Sequence, residues 1–329
     1  MACAEPAGRG VRRLALAALL AGLPCLAPAA EEAWVAPLAA RSLLLDVAAQ
    51  GAKRIAVGAR GHIMVSDDSG ATWRQSAHVP TRALLTAVTL LDERQGWAVG
   101  HDEVILRTSD GGATWTKVHD APQAERPLLD IWFADARRGI AIGAYAAFYT
   151  TDDGGATWVA RPFVDAAAPP AAEDELPADY HLNRITAVGS HLFIAGEAGQ
   201  VYRSDDQGAT WRSMALPYDG SMYGLLALGD ESLLVFGLRG KLFRSDDAGA
   251  SWMPLETGTV AMLTAGVRLD ERRLAIVGLA GTVLVSRDGG ASFTLQQRAD
   301  RKGLSGAVAA GPDALLAVGE GGIERVALQ

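Results

Sequence analysis

Short stretches of alternating apolar and polar residues, separated by clusters of Gly, Asp and Ser, run through most of the chain. In the first unit these stretches are Leu43–Ala49, Arg54–Gly58, His62–Ser66 and Thr72–Ala77. Alternation with a period of two, bounded by turn-forming residues, predicts β-strands. The unit therefore predicts four short strands joined by tight turns.

A four-residue apolar phrase that ends in glycine marks the second strand of each unit, and it recurs seven times. It reads IAVG, WAVG, IAIG, FIAG, LVFG, AIVG and LAVG, ending at Gly58, Gly100, Gly143, Gly196, Gly237, Gly278 and Gly319. Because every unit carries one such phrase, the chain is predicted to contain seven repeats.

A second phrase, S/T-x-D-x-G-x-T/S-W/F, follows the first six copies. It occupies Ser66–Trp73, Thr108–Trp115, Thr151–Trp158, Ser204–Trp211, Ser245–Trp252 and Ser286–Phe293. The steps between the closing aromatics are 42, 43, 53, 41 and 41 residues. Four-stranded units repeated at about forty residues are typical of the blades of a β-propeller. The predicted fold class is all-β, a seven-bladed β-propeller.

The seventh unit is incomplete at the C-terminus, where only a third strand, Ile323–Leu328, fits after Gly319. The segment Ala33–Leu38 leads into Leu43 much as Thr72–Gln75 leads into Leu84. We therefore expect an N-terminal strand to complete the last blade and close the ring, which would remove its open edge. In this interpretation Trp34 is the seventh aromatic, without its box.

The boxes predict hairpin turns between the third and fourth strands. Asp and Ser side chains bind nearby backbone N–H groups, the glycine permits a positive φ, and the aromatic packs between blades. We assign a structural role to Asp68, Asp110, Asp153, Asp206, Asp247 and Asp288 and to Trp73, Trp115, Trp158, Trp211 and Trp252. A catalytic or calcium-binding role is the alternative, but six equivalent turns around a ring cannot share one active site.

The repeated phrase resembles the Asp-box, or bacterial neuraminidase repeat, which occurs in sialidases, xyloglucan-cleaving glycosidases, sortilin-type receptors and the photosystem II assembly/stability factor family. The text between the boxes is most similar to the last of these, above all RTSDGGATW at Arg107–Trp115. This resemblance implies an exported seven-bladed propeller that binds a membrane protein during assembly and is not an enzyme. Related bacterial proteins imply a membrane transporter as a further possible partner.

Residues 1–30 have the layout of a signal peptide: Arg9, Arg12 and Arg13, then the apolar run Leu14–Leu23, then small residues. We expect cleavage after Ala29 or Ala30, a periplasmic location and a propeller of residues 31–329. Pro24 argues against a lipoprotein signal at Cys25, and the alternative of an uncleaved anchor stays open. Because the cysteines are Cys3 and Cys25, the mature chain offers no disulfide or thiolate site.

Removing residues 1–30 leaves 27 basic and 37 acidic residues and a net charge of −10. An acidic chain is poorly suited to nucleic acid. The six histidines show no metal-ligand spacing. We expect no cofactor, no metal, no nucleic-acid partner, at most a peripheral association with a membrane, and a monomer.

The functional face is predicted to be the one formed by the loops between second and third strands and the connections between blades, because these vary while the boxes do not. The connections bring Arg41, Arg82, Arg126 and Arg184, and the loops bring Arg60 and Arg239. These six arginines are the candidate partner-binding residues, suited to a carboxylate or an acidic tail. The alternative is that each pairs locally with an acid such as Asp46, Asp130 or Glu125.

One connection is longer than the others and carries an insertion, residues 162–180, rich in Pro, Ala and acids. Such a composition does not fold alone, so it is either a contact loop on the functional face or a tolerated surface insertion.

We thus predict a non-enzymatic assembly, stability or scaffold factor for a membrane protein complex. The alternative is an Asp-box glycoside hydrolase. No R-I-P phrase is present, and Tyr145, Tyr180 and Tyr223 have no recognisable catalytic partner. Asp102, Glu103, Glu197 and Glu320 are the acids that such an enzyme would have to pair across the face.

Overall fold

The computed structural model describes residues 31–167 and 179–329, together with Met1, Ala2 and Ala4. The rest of the predicted signal peptide, and residues 168–178 of the predicted insertion, therefore lie outside the described residues. In the described part, no helix is long and apolar enough to cross a bilayer.

Twenty-seven strands form seven antiparallel sheets in these residues. Blade one holds β1 (Leu44–Gln50), β2 (Lys53–Gly58), β3 (Ile63–Ser66) and β4 (Arg74–Gln75). Blade two holds β5 (Leu85–Leu90), β6 (Gly96–Gly100), β7 (Ile105–Thr108) and β8 (Thr116–His119). Blade three holds β9 (Leu128–Phe133), β10 (Gly139–Gly143), β11 (Phe148–Thr151) and β12 (Val159–Ala160). Blades four and five hold β13 (Leu182–Val188), β14 (His191–Gly196), β15 (Val201–Ser204), β16 (Arg212–Met214); and β17 (Met222–Ala227), β18 (Leu233–Gly237), β19 (Leu242–Ser245), β20 (Met253–Pro254). Blades six and seven hold β21 (Leu263–Arg268), β22 (Leu274–Gly278), β23 (Thr282–Ser286), β24 (Thr294–Gln297); and β25 (Leu304–Ala309), β26 (Ala314–Gly319), β27 (Gly322–Ala327).

Single turns of 3-10 helix supplement the strands. They span Ala39–Arg41, Ala59–Gly61, His101–Glu103, Pro122–Ala124, Leu238–Gly240 and Leu279–Gly281.

The first strands of the blades contact one another around a closed ring, with β25 of blade seven against β1 of blade one. The prediction of a seven-bladed β-propeller is thus confirmed. Each of these inner strands has a β-bulge at its second residue, at Leu45, Thr86, Leu129, Asn183, Tyr223, Thr264 and Ser305. A bulge bends the strand and re-aims the side chains beside it, here towards the central channel and the next blade.

The bulge residues tie neighbouring blades together on the channel side. Thr86 donates a hydrogen bond to the carbonyl of Leu128 in the next blade at 2.6 Å. Thr264 does the same to Leu304 at 2.8 Å. Asn183 uses its amide nitrogen on Met222 at 2.9 Å. The inner ring therefore satisfies backbone carbonyls that would otherwise lack a partner at these irregular positions.

Seven apolar clusters hold the ring, one at each interface between blades. In six of them the aromatic of an Asp-box packs against the blade that precedes it. Trp115 of blade two, for example, is 1% exposed and packs on Ile55, Val57 and Val65 of blade one. The cluster between blades six and seven consists of aliphatic residues and contains no aromatic among the described residues.

The N-terminal strand that we expected to complete blade seven is not formed in the described residues, and the last sheet has three strands. The chain does reach this blade, because the turn Ala39–Arg41 contacts β27 and Ala39 packs against Leu316 and Val318. Before Ala36, however, it crosses blade one. Ala33 donates its N–H to the carbonyl of Val79 at 2.9 Å. Among the described residues, the N-terminal segment therefore packs on blade seven around Ala39 but does not pair with its strands.

The prediction that Trp34 is a seventh box aromatic is also wrong. Its side chain is 65% exposed and lies under the guanidinium of Arg82, 4.3 Å from the ring centroid. Its carbonyl accepts a hydrogen bond from the amide of Gln75 at 2.8 Å, which fixes this part of the chain on blade one.

The box aromatics should therefore matter far more for stability than Trp34. Trp115→Ala removes a buried ring from the interface of blades one and two, so we expect a loss of about 3–5 kcal/mol in the free energy of unfolding. Trp34→Ala removes an exposed ring and one cation–π contact, so we expect a loss below about 1 kcal/mol. Urea unfolding of both variants followed by fluorescence measures the difference. Equal losses would show that Trp34 also has a structural role.

Candidate peptide-binding face and central channel

The turns between second and third strands share one backbone design. Their middle residue is in the left-handed region, as at Arg60 (φ 59°) and Arg239 (φ 56°). The next residue is usually a glycine whose missing Cβ admits the chain that leaves the same blade. A Cβ on Gly61 would lie 2.2 Å from the carbonyl oxygen of Thr81. The turn is thus fixed against the connection, and its middle side chain is directed outwards.

The structure brings three of the predicted arginines together over blade one. Arg41, Arg60 and Arg82 are exposed. Ser42, which follows Arg41, places its Oγ 3.0 Å from Nδ1 of His62, two residues after Arg60. This contact links the two segments that carry Arg41 and Arg60. Burial, and then the charge of Arg60, lower the pKa of His62. We call Arg41, Arg60, Arg82 and the exposed Trp34 the blade-one patch.

The guanidinium groups of this patch differ in how far they are engaged. Arg82 Nε donates to the carbonyl of Glu32 at 2.8 Å. For Arg41 and Arg60, the described residues provide neither an ion pair nor a side-chain hydrogen bond. The same holds for Arg239, which is exposed on blade five. The patch therefore presents donors that a carboxylate ligand can occupy.

Arg126 has a structural partner. Its guanidinium lies 2.7 Å from Glu103 Oε1, and the Glu103 side chain is 1% exposed. The Tyr149 hydroxyl donates to Glu103 Oε2 at 2.7 Å. Burial, and then Glu103, raise the pKa of Tyr149 to about 12. Arg126 is therefore paired locally in the structure, with Glu103 and not with Glu125.

Glu103 occupies the place that a glycine holds in most other blades, with φ at 51°. A left-handed glutamate is strained, so its ion pair and its hydrogen bond from Tyr149 must hold it there. The ring of His119 lies 4.9 Å from that of Tyr149. Burial lowers the pKa of His119, so the imidazole adds no second positive charge beside Arg126 near neutral pH.

Arg184 lies in the channel, within β13 and not ahead of it as we expected. Its Nε is 3.4 Å from Asp130 Oδ2 in the neighbouring blade, and its Nη1 is 3.9 Å from Asp46 Oδ2 in blade one. These two carboxylates also accept backbone N–H groups of the next blades, Asp46 from Val88 at 3.0 Å and Asp130 from Ile185 at 2.8 Å. Asp46, Asp130 and Arg184 form what we call the channel triad, which links three blades.

Burial dominates the electrostatics of the channel triad. It raises the pKa of Asp130 to about 6, against the opposing charge of Arg184. It raises the pKa of Asp46 as well. Because two buried carboxylates share one guanidinium, a proton on one of them is lost at a higher pH than from an exposed aspartate.

Three of the four acids that a hydrolase would need are engaged within their own surroundings, whereas the Asp102 side chain is exposed. Glu103 belongs to the pair with Arg126. Glu197 accepts the N–H of His181 at 3.3 Å. Glu320 accepts the N–H of Gly303 at 3.0 Å. In the part of the chain that the structure describes, no three potential metal ligands come together.

The box acids are occupied as turn acceptors. Asp68 Oδ1 accepts the Ser66 hydroxyl at 2.7 Å and the Thr72 N–H at 2.9 Å, and Oδ2 accepts the Thr72 hydroxyl at 2.6 Å. These bonds, that of the Thr72 side chain above all, lower the pKa of Asp68 to about 2. The other five boxes repeat the geometry, so the structural interpretation of these acids agrees with their contacts.

The insertion begins inside an interface between blades. The ring of Phe163 packs against Phe148, Tyr202 and Trp211 at 5.6, 4.9 and 5.9 Å between centroids. Asp165 then accepts the N–H of Ser213 at 3.0 Å. The start of this segment is thus anchored to blade four.

Fold and boxes together define the protein as an Asp-box propeller of seven blades. A family profile described as "Photosynthesis system II assembly factor YCF48" matches residues 27–124 and 120–273. This match extends over more than half of the chain, so the protein belongs to that family.

Two kinds of relative support this assignment. The chain is 40% identical over 161 residues to "Photosystem II assembly lipoprotein Ycf48" of Parasynechococcus marenigrum (strain WH8102), which covers 48% of this chain and 45% of the relative. The match thus spans less than half of that curated relative. Among solved structures, "YCF48 bound to D1 peptide" has a TM-score of 0.65 at 20% identity, covering 88% of this chain and 94% of the other. "YCF48 from Cyanidioschyzon merolae" has a TM-score of 0.70 at 16% identity, covering 88% and 96%. At these identities the structures show a shared fold.

The channel triad should make stability depend on pH in a definite direction. The pKa of Asp130 is raised above its unfolded value near 3.8, so its contribution is present below about pH 4 and is lost as the pH rises through 6. Asp130→Asn mimics the protonated acid. We therefore expect the variant to gain about 2–3 kcal/mol on the native protein between pH 4 and 7.

Urea unfolding across this pH range measures that gain. Asp135→Asn is the control, because hydrogen bonds from Arg138 and Arg137 lower the pKa of the exposed Asp135 to about 2. Its difference from the native protein should stay constant over most of the range. A constant difference for Asp130→Asn as well would contradict the proposed protonation.

Proposed function

We propose that the protein is a non-enzymatic assembly factor that holds an extended segment of a membrane protein on its turn face. Family membership supports this role, and one relative of the same fold is described as bound to a D1 peptide. The partner class that we assign is a membrane protein or its exposed tail, either of a photosystem or of a transport complex.

The blade-one patch carries this proposal. The chain as a whole is acidic, yet Arg41, Arg60 and Arg82 lie together and exposed on one blade. Guanidinium groups bind carboxylates in a bidentate manner, and the exposed Trp34 adds apolar area beside them. An extended segment with acidic side chains or a free C-terminal carboxylate fits such a surface.

Arg126 and Arg184 contribute to this site indirectly. Each forms an ion pair with a buried acid, Arg126 with Glu103 and Arg184 with Asp130. The first pair positions the turn of blade two, and the second positions the inner strands. Arg239 is exposed but belongs to blade five, away from the patch. We therefore narrow the six predicted contact arginines to Arg41, Arg60 and Arg82.

Export supports access to such a partner. We propose that residues 1–30 direct the protein to the periplasm and are removed, and that it acts there as a monomer. A relative named a lipoprotein agrees with export and membrane association. In this chain Pro24 precedes Cys25, so we propose release from the leader and not lipid attachment.

A charge reversal tests the patch. Arg41→Glu combined with Arg60→Glu and Arg82→Glu should abolish co-purification with a membrane protein complex from detergent-solubilised membranes, and weaken binding of a fluorescent D1 peptide at least tenfold. Arg239→Glu, an exposed arginine on the same face, is the matched control and should bind normally. Retained binding by the triple variant would refute the patch as the contact site.

A further inference from the structure

The outer edge of β27 is a strand edge without a partner among the described residues. Leu328 donates its N–H to the carbonyl of Asp313, which fixes the alternation of hydrogen bonds between β26 and β27. Residues of even number therefore bond to β26, and Ile323, Arg325 and Ala327 direct their N–H and C=O groups away from it. No described residue bonds to these groups.

In other blades the equivalent groups pair with the fourth strand. The outward carbonyl accepts an N–H at 2.9 Å in blades one, three and five, in the pairs Ser76 to Ile63, Arg161 to Phe148, and Leu255 to Leu242. Ile323 stands at the corresponding place in blade seven, since it pairs with Val318 as Ile63 pairs with Val57. In the part of the chain that the structure describes, blade seven therefore has the template for a fourth strand but not the strand.

The neighbouring core also lacks the side chain that a fourth strand brings. Each box aromatic precedes a fourth strand and packs on the preceding blade, as Trp115 does before β8. The cluster between blades six and seven is built from Val277, Val283, Leu315 and similar aliphatic residues. An incoming strand preceded by an aromatic residue would complete this interface as in the other six.

The described N-terminal segment does not fill this position. From Ala39 at blade seven the chain leads back over Gln75 of blade one to Glu32, whose carbonyl is bound by Arg82. This direction takes it away from β27, so the described residues before Ala39 do not supply the strand.

A second copy of this protein is disfavoured by charge. Two antiparallel copies of one strand related by a two-fold axis place one residue directly opposite itself. For the centre of β27 that residue is Glu324 or Arg325. Like charges directly opposite one another destabilise strand pairing, so the edge resists self-association.

We infer that the outer edge of β27 binds an extended segment of a partner protein as the fourth strand of blade seven, with an aromatic side chain of that segment against the cluster between blades six and seven. This is β-strand addition, in which main-chain bonds give affinity and side-chain pockets give specificity. It is a second surface, separate from the blade-one patch, and its test does not depend on that patch.

The probe is a synthetic peptide that copies Ala113–His119, the aromatic and fourth strand of blade two. Hydrogen exchange of the full chain is measured first without and then with the peptide. We expect the amides of Ile323, Arg325 and Ala327 to exchange quickly in the free chain and at least tenfold more slowly with peptide. Protection of these amides in the free chain would overturn the inference, because the chain or a second copy would already fill the edge.

Two variants make the test specific. Arg325→Pro removes an outward N–H while leaving the bonds to β26, so we expect peptide affinity to fall at least tenfold with an unchanged circular dichroism spectrum. A chain in which a copy of residues 286–297 replaces residues 326–329 supplies the box and the fourth strand internally, because Val326 stands in β27 where Ser286 stands in β23. We expect this chain to bind no peptide. A peptide with proline in place of Thr116 is the control ligand, because Thr116 lies opposite Arg107, whose backbone groups face the fourth strand in blade two. Equal binding by the chain with the internal strand, or no binding by the native chain, would refute the proposed site.

Discussion

The fold depends on filling seven equivalent interfaces at once. A blade is a small twisted sheet that cannot bury both of its faces alone, so each must pack on two neighbours. The Asp-box meets this need with one short phrase. Its carboxylate and glycine shape a hairpin, and the residue that follows delivers an aromatic ring to the preceding blade. Because the same contact is repeated six times, the ring is stable without a disulfide in the propeller.

The sequence predicted what is repeated and failed where the chain departs from the repeat. The glycine phrases counted the blades correctly because a buried second strand and its turn demand them in every unit. Ala33–Leu38 was misread, because an alternating pattern shows that a segment is half-buried but not which surface covers it. The segment satisfies the same pattern by lying on blade one, with Ala36 bound to Gln75.

The arginines show a second limit of sequence reasoning. Arg126 and Arg60 look alike in the sequence, since each is an arginine at a turn or connection on the same face. In the structure they differ because Arg126 pairs with an acid from another part of the chain, whereas Arg60 has no such partner among the described residues. Glu103 reaches Arg126 because it occupies a turn position that usually needs glycine. Asp46 meets Arg184 across the channel, although 138 positions separate them in the sequence. Such pairs follow from ring closure, which no local pattern encodes.

A symmetric scaffold places function where its symmetry is broken. The box face offers nearly identical turns around the ring, so a ligand there would find several equivalent registers and no unique one. The junction of blades seven and one is different, because both ends of the described propeller meet it. Among the described residues, Arg41 and Arg60 have no acidic partners there, and the outer edge of β27 in blade seven is unpaired. In the central channel, the buried carboxylates of Asp46 and Asp130 pair with Arg184, so this arginine is balanced within the ring. In both places, among the described residues, groups that the repeat satisfies elsewhere are left without partners: charges at the blade-one patch and backbone groups at β27.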